Sequence, residues 1–268
     1  MKRAVSFLII VYASVPILLY LFPWILGHAI FAHLLRLPFF VDLSRPEDVL
    51  NHTCNFYLNT EEGISVGVWH TLPASQWEEA SGKSPEWYRE TLGEGHPVII
   101  HLHGNVGTRA MNHRVQMVKI LSAVGYHVLS LDYRGSAVDA LILEAPYTRI
   151  GELVAIHPLI KMYMFLPGFE SFLWNTMERN NIVFANDKNL KTVTSPLLIL
   201  HAEDDNVVPY HMGLKLYEIS LQTQKKYNTD AHIKMVSYNA SLGFSHSNIY
   251  LDPNLSDVVR EFLQNLRQ

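Results

Sequence analysis

Apolar and polar positions are distributed unevenly along this chain of 268 residues. From Ala4 to Leu35 no Lys, Arg, Asp or Glu interrupts the sequence, and Ala4 to Leu26 (AVSFLIIVYASVPILLYLFPWIL) is almost wholly apolar. As a helix rising about 1.5 Å per residue, that run spans roughly 35 Å, enough for a hydrocarbon core of about 30 Å. A transmembrane helix is the expectation, with a cleaved signal peptide and a buried core helix as alternatives. The run is longer than the roughly 7 to 15 apolar residues of a signal h-region. Pro16 and Pro23 are tolerated in membrane helices whose freed carbonyls find other partners. Lys2 and Arg3 precede the run, and Arg36 is the first charge after it. The positive-inside bias favours a cytoplasmic amino terminus, so the body would face a lumen or the exterior. Gly27 to Val41 stays apolar and reads as a segment lying at the interface or as part of the core. Residues 1–41 are thus an anchor with its juxtamembrane segment, and 42–268 the folded body.

Within the body the periodicity changes. The short runs CNFYL and ISVGVWHTL, divided by NTEEG, predict an antiparallel hairpin. Pro73 to Gly95 is polar, a surface loop with one short helix around Trp87. PVIIHLHG, a helical pattern from Met111 to Ala123, and YHVLSLDYRG then form a βαβ unit with parallel strands and a right-handed crossover. VDALILEAP, SPLLILHAEDD and HIKMVSYN predict further strands, and Asp257 to Leu266 a closing amphipathic helix. The whole is α/β.

Composition sharpens this picture at three points. A net charge of −4 gives no general attraction to nucleic acid or anionic lipid. The charged fraction of 17% is below the roughly 25% of ordinary globular chains because the first 35 residues hold only two charges. The single cysteine, Cys54, excludes an intrachain disulfide and reads as a small buried hydrophobe.

Candidate chemistry sits where open α/β sheets bind ligands, at the carboxyl ends of strands. His103-Gly104-Asn105 follows the first strand of the βαβ unit, and the Asn105 amide could donate to a developing oxyanion. Asp204-Asp205 ends PLLILHAEDD, and His246 lies in LGFSHSNIY before the last helix. An acid followed by a histidine, both late in the chain, is the order of an α/β-hydrolase triad. His101 and His103 alternate along one strand, a spacing open to a metal or to plain packing. His201 and His211, flanking the acid loop, read as surface residues or as supports of the acid. Sequons stand at Asn51, Asn239 and Asn254. The aromatic stretch Ile160 to Trp174 is a lid over an acyl pocket or ordinary cap packing. No phosphate loop, dinucleotide fingerprint or basic patch occurs.

Here the chain resembles the α/β-hydrolase family of membrane-anchored lysophosphatidylserine and monoacylglycerol lipases. The stretches that carry the resemblance are NFYL through GVWHTLP, HLHGNVGTRAMNHR, HVLSLDYRG, VDALILEAPYT, the LPGF and FANDKN patches, SPLLILHAEDDNVVP and GFSH. They cover most of the chain after Arg36. The resemblance implies an α/β-hydrolase fold and hydrolysis of lipid acyl esters through an acyl-serine intermediate. It places the acid on Asp205, with Asp204 as rival, the base on His246 and an oxyanion amide on Asn105. It implies membrane lipids as substrates, no cofactor and no metal. The accompanying expectation is a single-pass protein of the endoplasmic reticulum with a lumenal, glycosylated body.

The serine is missing from this pattern. The only G-x-S-x-G match, Gly63 to Gly67, runs into a strand with no helix behind it, so Ser65 is a hairpin residue; a nucleophile elbow needs strand, sharp turn and helix. Ser136 follows a strand end but reads as a turn residue. In the family, the stretch between DYRG and DALILEAP holds a helix, a parallel strand, the elbow and another helix. This chain passes from Gly135 to Asp139 through three residues. A parallel crossover typically takes at least about 10 to 12 residues. The expectation is therefore an internally truncated, catalytically impaired chain in which the two flanking strands turn antiparallel, one leaves the sheet, or the core is damaged.

Overall fold

Strand pairing in the computed structural model follows the hydrophobic pattern closely up to the suspected gap. The structure describes residues 2–31, 37–59, 65–104, 107–131, 140–180, 182–228 and 232–265, without the side chains of Lys2 to Ala4, Leu8, His28, Ala29, Phe31 and Ser65. Helices α1 (Lys2–Leu21) and α2 (Trp24–Phe31) come first and are separated at Pro23, which has no amide hydrogen to continue the ladder. Strands β1 (Thr53–Asn59) and β2 (Ser65–Thr71) pair antiparallel as the expected hairpin. α3 (Pro85–Thr91) is the short helix around Trp87, started by Pro85 and capped by Ser84, whose hydroxyl accepts the Trp87 amide. β3 (Val98–Leu102), α4 (Asn112–Ala123) and β4 (His127–Leu131) form the βαβ unit, with β3 and β4 parallel.

After β4 come β5 (Leu141–Glu144) and a helical cap of α5 (Ile150–Ile156), α6 (Pro158–Lys161), α7 (Phe169–Arg179) and α8 (Asn186–Asn189). The LPGF patch is the turn into α7, where Gly168 holds a left-handed φ of 81° that a side chain would strain. In the FANDKN patch, Asp187 receives a two-pronged guanidinium from Arg149 at 2.7–2.9 Å, tying α8 to the start of α5. β6 (Leu197–Ala202), α9 (Tyr210–Tyr227), β7 (Ile233–Tyr238) and α10 (Leu255–Gln264) complete the chain.

Among the described residues the strands form two sheets, in the orders β1-β2-β4-β3 and β5-β6-β7. β4 ends at Leu131 and β5 begins at Leu141, so the link falls short of the roughly 10 to 12 residues a parallel crossover usually needs. Of the three outcomes expected from the sequence, the second occurs: β5 lies outside the sheet of β4. One core still serves both sheets. Val128 of β4 belongs to one buried cluster with Leu198 and Leu200 of β6, Val118 of α4 and Phe262 of α10, and Ile99 of β3 and Ile142 of β5 pack against that cluster. The outer face of β3 is uncovered, and Val98, Ile100 and Leu102 are all exposed. A strand of a parallel sheet is ordinarily covered on both faces.

Helix α1 does not stand apart from the body. Leu19 and Leu26 are buried against Ile150, Leu173 and Met177 of the cap. The sequence led one to expect a transmembrane helix of this segment, but among the described residues no helix is long and apolar enough to cross a membrane.

Beneath β2 and β4 lies a polar pair that sequence alone did not reveal. His70 and His127 are fully buried, with Nε2 of the first 2.9 Å from Nδ1 of the second. Burial, reinforced by the neighbouring ring, lowers the His70 pKa to about 3, and burial likewise lowers that of His127. The unfolded chain therefore takes up protons below about pH 6.5 that the folded chain refuses, so stability present at neutral pH is lost as pH falls toward 3. A His70→Leu, His127→Leu double variant should lose less stability between pH 7 and pH 5 than the native chain. The expected difference is about 2 kcal/mol by urea unfolding, at about 1.4 kcal/mol per pH unit and proton. Equal losses would mean that the pair is already charged in the fold.

Candidate active site

The loop after β6 builds the site. All six residues of β6 are buried, and the strand delivers three consecutive acids, Glu203, Asp204 and Asp205, to the segment that follows β7. Each acid holds a different part of that segment. Glu203 accepts the Ala240 amide and the Asn239 side-chain amide, both at 3.2 Å. Asp204 accepts the Ser245 amide at 3.0 and 3.1 Å, fixing the backbone one residue before His246. Ser245 has a left-handed φ of 51°, so this bond also restrains a conformation that side chains seldom adopt.

Asp205 takes the imidazole itself. Its Oδ2 lies 2.9 Å from His246 Nδ1, while Oδ1 accepts the Val207 and Val208 amides at 2.9 and 2.8 Å. His201 Nε2 lies 2.9 Å from the Val208 carbonyl and 3.3 Å from Asp205 Oδ2. A carbonyl only accepts, so His201 carries its proton on Nε2. The ring is seated against Gly213, where an added Cβ would come within 2.2 Å of Nδ1. The Asp205 and His201 side chains are fully buried, and that of His246 is 34% exposed. With Nδ1–H bound to the carboxylate, Nε2 of neutral His246 presents a lone pair. A proton acceptor oriented by a buried acid results.

Charge in the site is unevenly distributed. Burial is the largest influence on the Asp205 carboxyl and pushes it up, but hydrogen bonds from His201 and His246, the His246 charge and the Val208 amide together hold it well below the usual carboxylate range. Glu144, at the carboxyl end of β5, behaves oppositely: burial and Asp205 raise it to about 7, against the pull of His246 and Arg114. Near neutral pH it keeps its proton about half of the time. Burial, with Arg114 beside them, lowers both His101 and His113 to about 4, and His246 adds to the effect on His113. The dyad thus borders a carboxyl raised by burial, Glu144, and an imidazole held neutral by burial, His113.

Placement of the remaining candidates is uneven. Asn105 and residues 132–139, including Ser136, lie outside the described residues. Ser65 is the first residue of β2, paired with Asn59 in the hairpin, which is no elbow. Gly67 of the same match has a structural use: the Arg109 guanidinium passes over it, and a Cβ there would sit 2.6 Å from Nη1. Cys54 is half-buried, and its thiol donates weakly to the Asn55 carbonyl at 3.6 Å. His103 holds the Gly104 carbonyl at 2.8 Å, and no group of three His, Cys, Asp or Glu among the described residues could hold a metal ion. His211 is exposed, and so are Asn51, Asn239 and Asn254. Sequence reasoning passed over Glu144 and His113. A charged residue closing an otherwise apolar strand, ALILE, was the available signal for the first; nothing marks the second.

This assembly, with an acid after one strand, a histidine after the next and a cap inserted before both, belongs to α/β-hydrolase architecture. Solved structures agree on the fold: the Pyrococcus furiosus esterase Pf2001 superposes with a TM-score of 0.56 at 14% identity in one crystal form, covering 83% of this chain and 94% of that one. A second crystal form gives 0.54 at 15% identity over 82% and 92%. The chain is 40% identical to the lysophosphatidylserine lipase ABHD12 of Xenopus tropicalis over 325 residues, taking in 100% of this chain and 84% of the other. It is 36% identical to protein ABHD12B of Homo sapiens over 290 residues, 87% of this chain and 79% of that one. The chain belongs to the family of lysophosphatidylserine lipase ABHD12. No protein-family model matches it. The Xenopus alignment is 57 positions longer than the 268 residues it covers completely.

The unequal bonding of the two aspartates predicts unequal costs. Asp205→Ala leaves the His246 Nδ1–H and two amides without an acceptor and should cost about 2 to 4 kcal/mol, while Asp204→Ala, which frees one amide, should cost about 1 kcal/mol. Urea unfolding of both variants measures the difference. Equal values would show that the carboxylates are interchangeable supports.

Proposed function

We propose that this chain is a membrane-attached member of a lipid ester hydrolase family that retains the acid and base of a catalytic triad and lacks its nucleophile. In the complete reaction of such a site, a serine hydroxyl attacks the ester carbonyl and passes its proton to His246 Nε2. Asp205 holds the imidazole in the accepting tautomer and balances the imidazolium, and the Asn105 amide donates to the oxyanion. The substrate class is the acyl esters of lysophospholipids such as lysophosphatidylserine, and of monoacylglycerols. This chain should turn them over slowly or not at all, and its residual role is then that of a tethered, non-catalytic binder.

The observation that carries this reading is the division of the sheet between β3 and β5, at the place where the family threads a helix, a strand and the elbow. Two others support it. The surplus of 57 positions in the Xenopus alignment is close to what two helices and a strand require at ordinary element lengths. The bare outer face of β3 is that of a strand which has lost its cover. Attachment to the membrane rests on the uncharged run from Ala4 to Leu35. The three exposed sequons support a body on the lumenal side of the endoplasmic reticulum.

A fluorophosphonate probe tests the missing nucleophile directly. The purified chain should show no labelling; stoichiometric labelling that survives Ser65→Ala and disappears in Ser136→Ala would overturn the proposal. In a chimera carrying the Xenopus segment between Gly135 and Asp139, labelling should appear at the inserted serine. It should fall by at least about 100-fold with His246→Ala, as expected for loss of a general base.

A further inference from the structure

The carboxyl end of α1 and the helix α7 enclose a cleft that the dyad does not use. Its volume is about 600 Å³, within the roughly 300 to 1,000 Å³ of small-molecule sites. Leu19, Leu21 and Pro23 form its apolar side. The other side is one face of α7, where Ser171, Asn175 and Arg179 follow at intervals of four residues and so project in a row. Among the described residues none of these three side chains has a hydrogen-bond or ionic partner, and no carboxylate lines the cleft. The place of Arg179 in the last turn of α7 complements the helix dipole, but its guanidinium donors are not engaged. A cation thus stands unanswered at one end of a cavity with an apolar wall.

A second hollow, of about 430 Å³, continues the cleft away from Arg179. The two share Tyr20, Leu21, Gly168 and Phe172, and the rings of Tyr20 and Phe172 meet there with centroids 6.4 Å apart. Beyond them the walls include Pro16, Ile17, Leu166 and Phe169, and among the described residues no charged side chain lines this part. From the level of Arg179 to that of Gly168 is roughly 16 Å along α7, at about 1.5 Å per residue. The groove is therefore polar and cationic at one end and apolar over the rest of its length.

We propose that this groove binds a single-chain anionic amphiphile, a carboxylate or phosphate head on one acyl chain, with the head at Arg179 and the chain running along α7 toward Leu166. The guanidinium selects the head, since it offers parallel N–H donors that match a carboxylate or a phosphate. Asn175 and Ser171 add an amide and a hydroxyl on the same side. Shape selects the chain: a compact anion would leave the apolar hollow unfilled, and a neutral chain would leave the guanidinium unpaired. A concave site, mostly apolar with a few polar groups, suits a small ligand better than a second copy of the protein. The groove stands over the buried cluster of Leu19, Leu173 and Met177, whereas the loop bearing His246 rests through Phe244 on the cluster of Val128 and Leu200. The two sites are built on different clusters, and this one does not depend on whether the chain has a nucleophile.

The test uses the full chain in nanodiscs of phosphatidylcholine, whose head groups carry no net charge, and stearate bearing a diazirine near the end of its chain. Irradiation should label the stretches that wall the second hollow, Pro16 to Leu21 and Leu166 to Phe172. Oleate and lysophosphatidate should compete, the stronger of them identifying the head as carboxylate or phosphate, and oleyl alcohol should not. Arg179→Gln should weaken labelling by about tenfold, as for loss of a charged hydrogen bond, with Arg179→Lys less affected and Lys188→Gln, exposed on α8, unchanged. Ser171→Trp, at an exposed position, should fill the cleft and remove labelling with the melting profile unchanged. Competition by oleyl alcohol as strong as by oleate, or labelling indifferent to both Arg179→Gln and Ser171→Trp, would reveal general contact with lipid and overturn the proposal. Labelling that maps to the segment around His246 would overturn it as well, while leaving the reading of the dyad intact.

Discussion

A parallel strand can follow its predecessor in one sheet only if the chain travels back along the full strand length, and the link from β4 to β5 is too short for that return. Much of the architecture follows from this constraint. Among the described residues β5 pairs with β6 alone, β3 is an edge strand, and the sheet divides. The fold holds together because the side chains beneath the sheet do not require a continuous ladder. Val128 and Leu200 meet in one core although their strands share no hydrogen bonds. Apolar packing is indifferent to connectivity in a way that backbone hydrogen bonding is not.

The acid–base pair survives for a related reason. Asp205 and His246 depend on β6, β7 and the loops after them, all on one side of the division. Three acids in a row fasten the carboxyl-terminal loop by side chain and by backbone, and His201, wedged over Gly213, closes the acid's remaining edge. None of these contacts reaches across to β3 or β4. The Asp205–His246 pair can therefore be well formed independently of the sheet that holds β3 and β4.

Legibility from sequence divides along the same physical lines. The βαβ unit, the hairpin and the final helix, displaced by two residues, were readable because periods of 2 and 3.6 record which faces are buried. Strand ends and chain order narrowed the candidates to Asp204 or Asp205 and His246, the family resemblance singled out Asp205, and the structure brings that residue and His246 within 2.9 Å. The separate tasks of Asp204 and Asp205 were not, since they turn on which backbone amide lies within reach. His201 read as a surface or supporting residue and proves fully buried beside Asp205. Glu144 closes an apolar strand and was overlooked for want of any feature but its charge. The run in α1 read as a transmembrane helix, and its packing against the cap was not legible because an all-apolar sequence has no polar face to betray which side is packed.

The uncovered face of β3 bears on the life of the protein in the cell. Val98, Ile100 and Leu102 form an apolar stripe on a strand that, among the described residues, is paired along one edge only, a combination that templates strand addition by other chains. Chaperones and proteases act in general on molecules that display such surfaces. In the interrupted sheet the place where quality control would meet this chain is a single exposed strand.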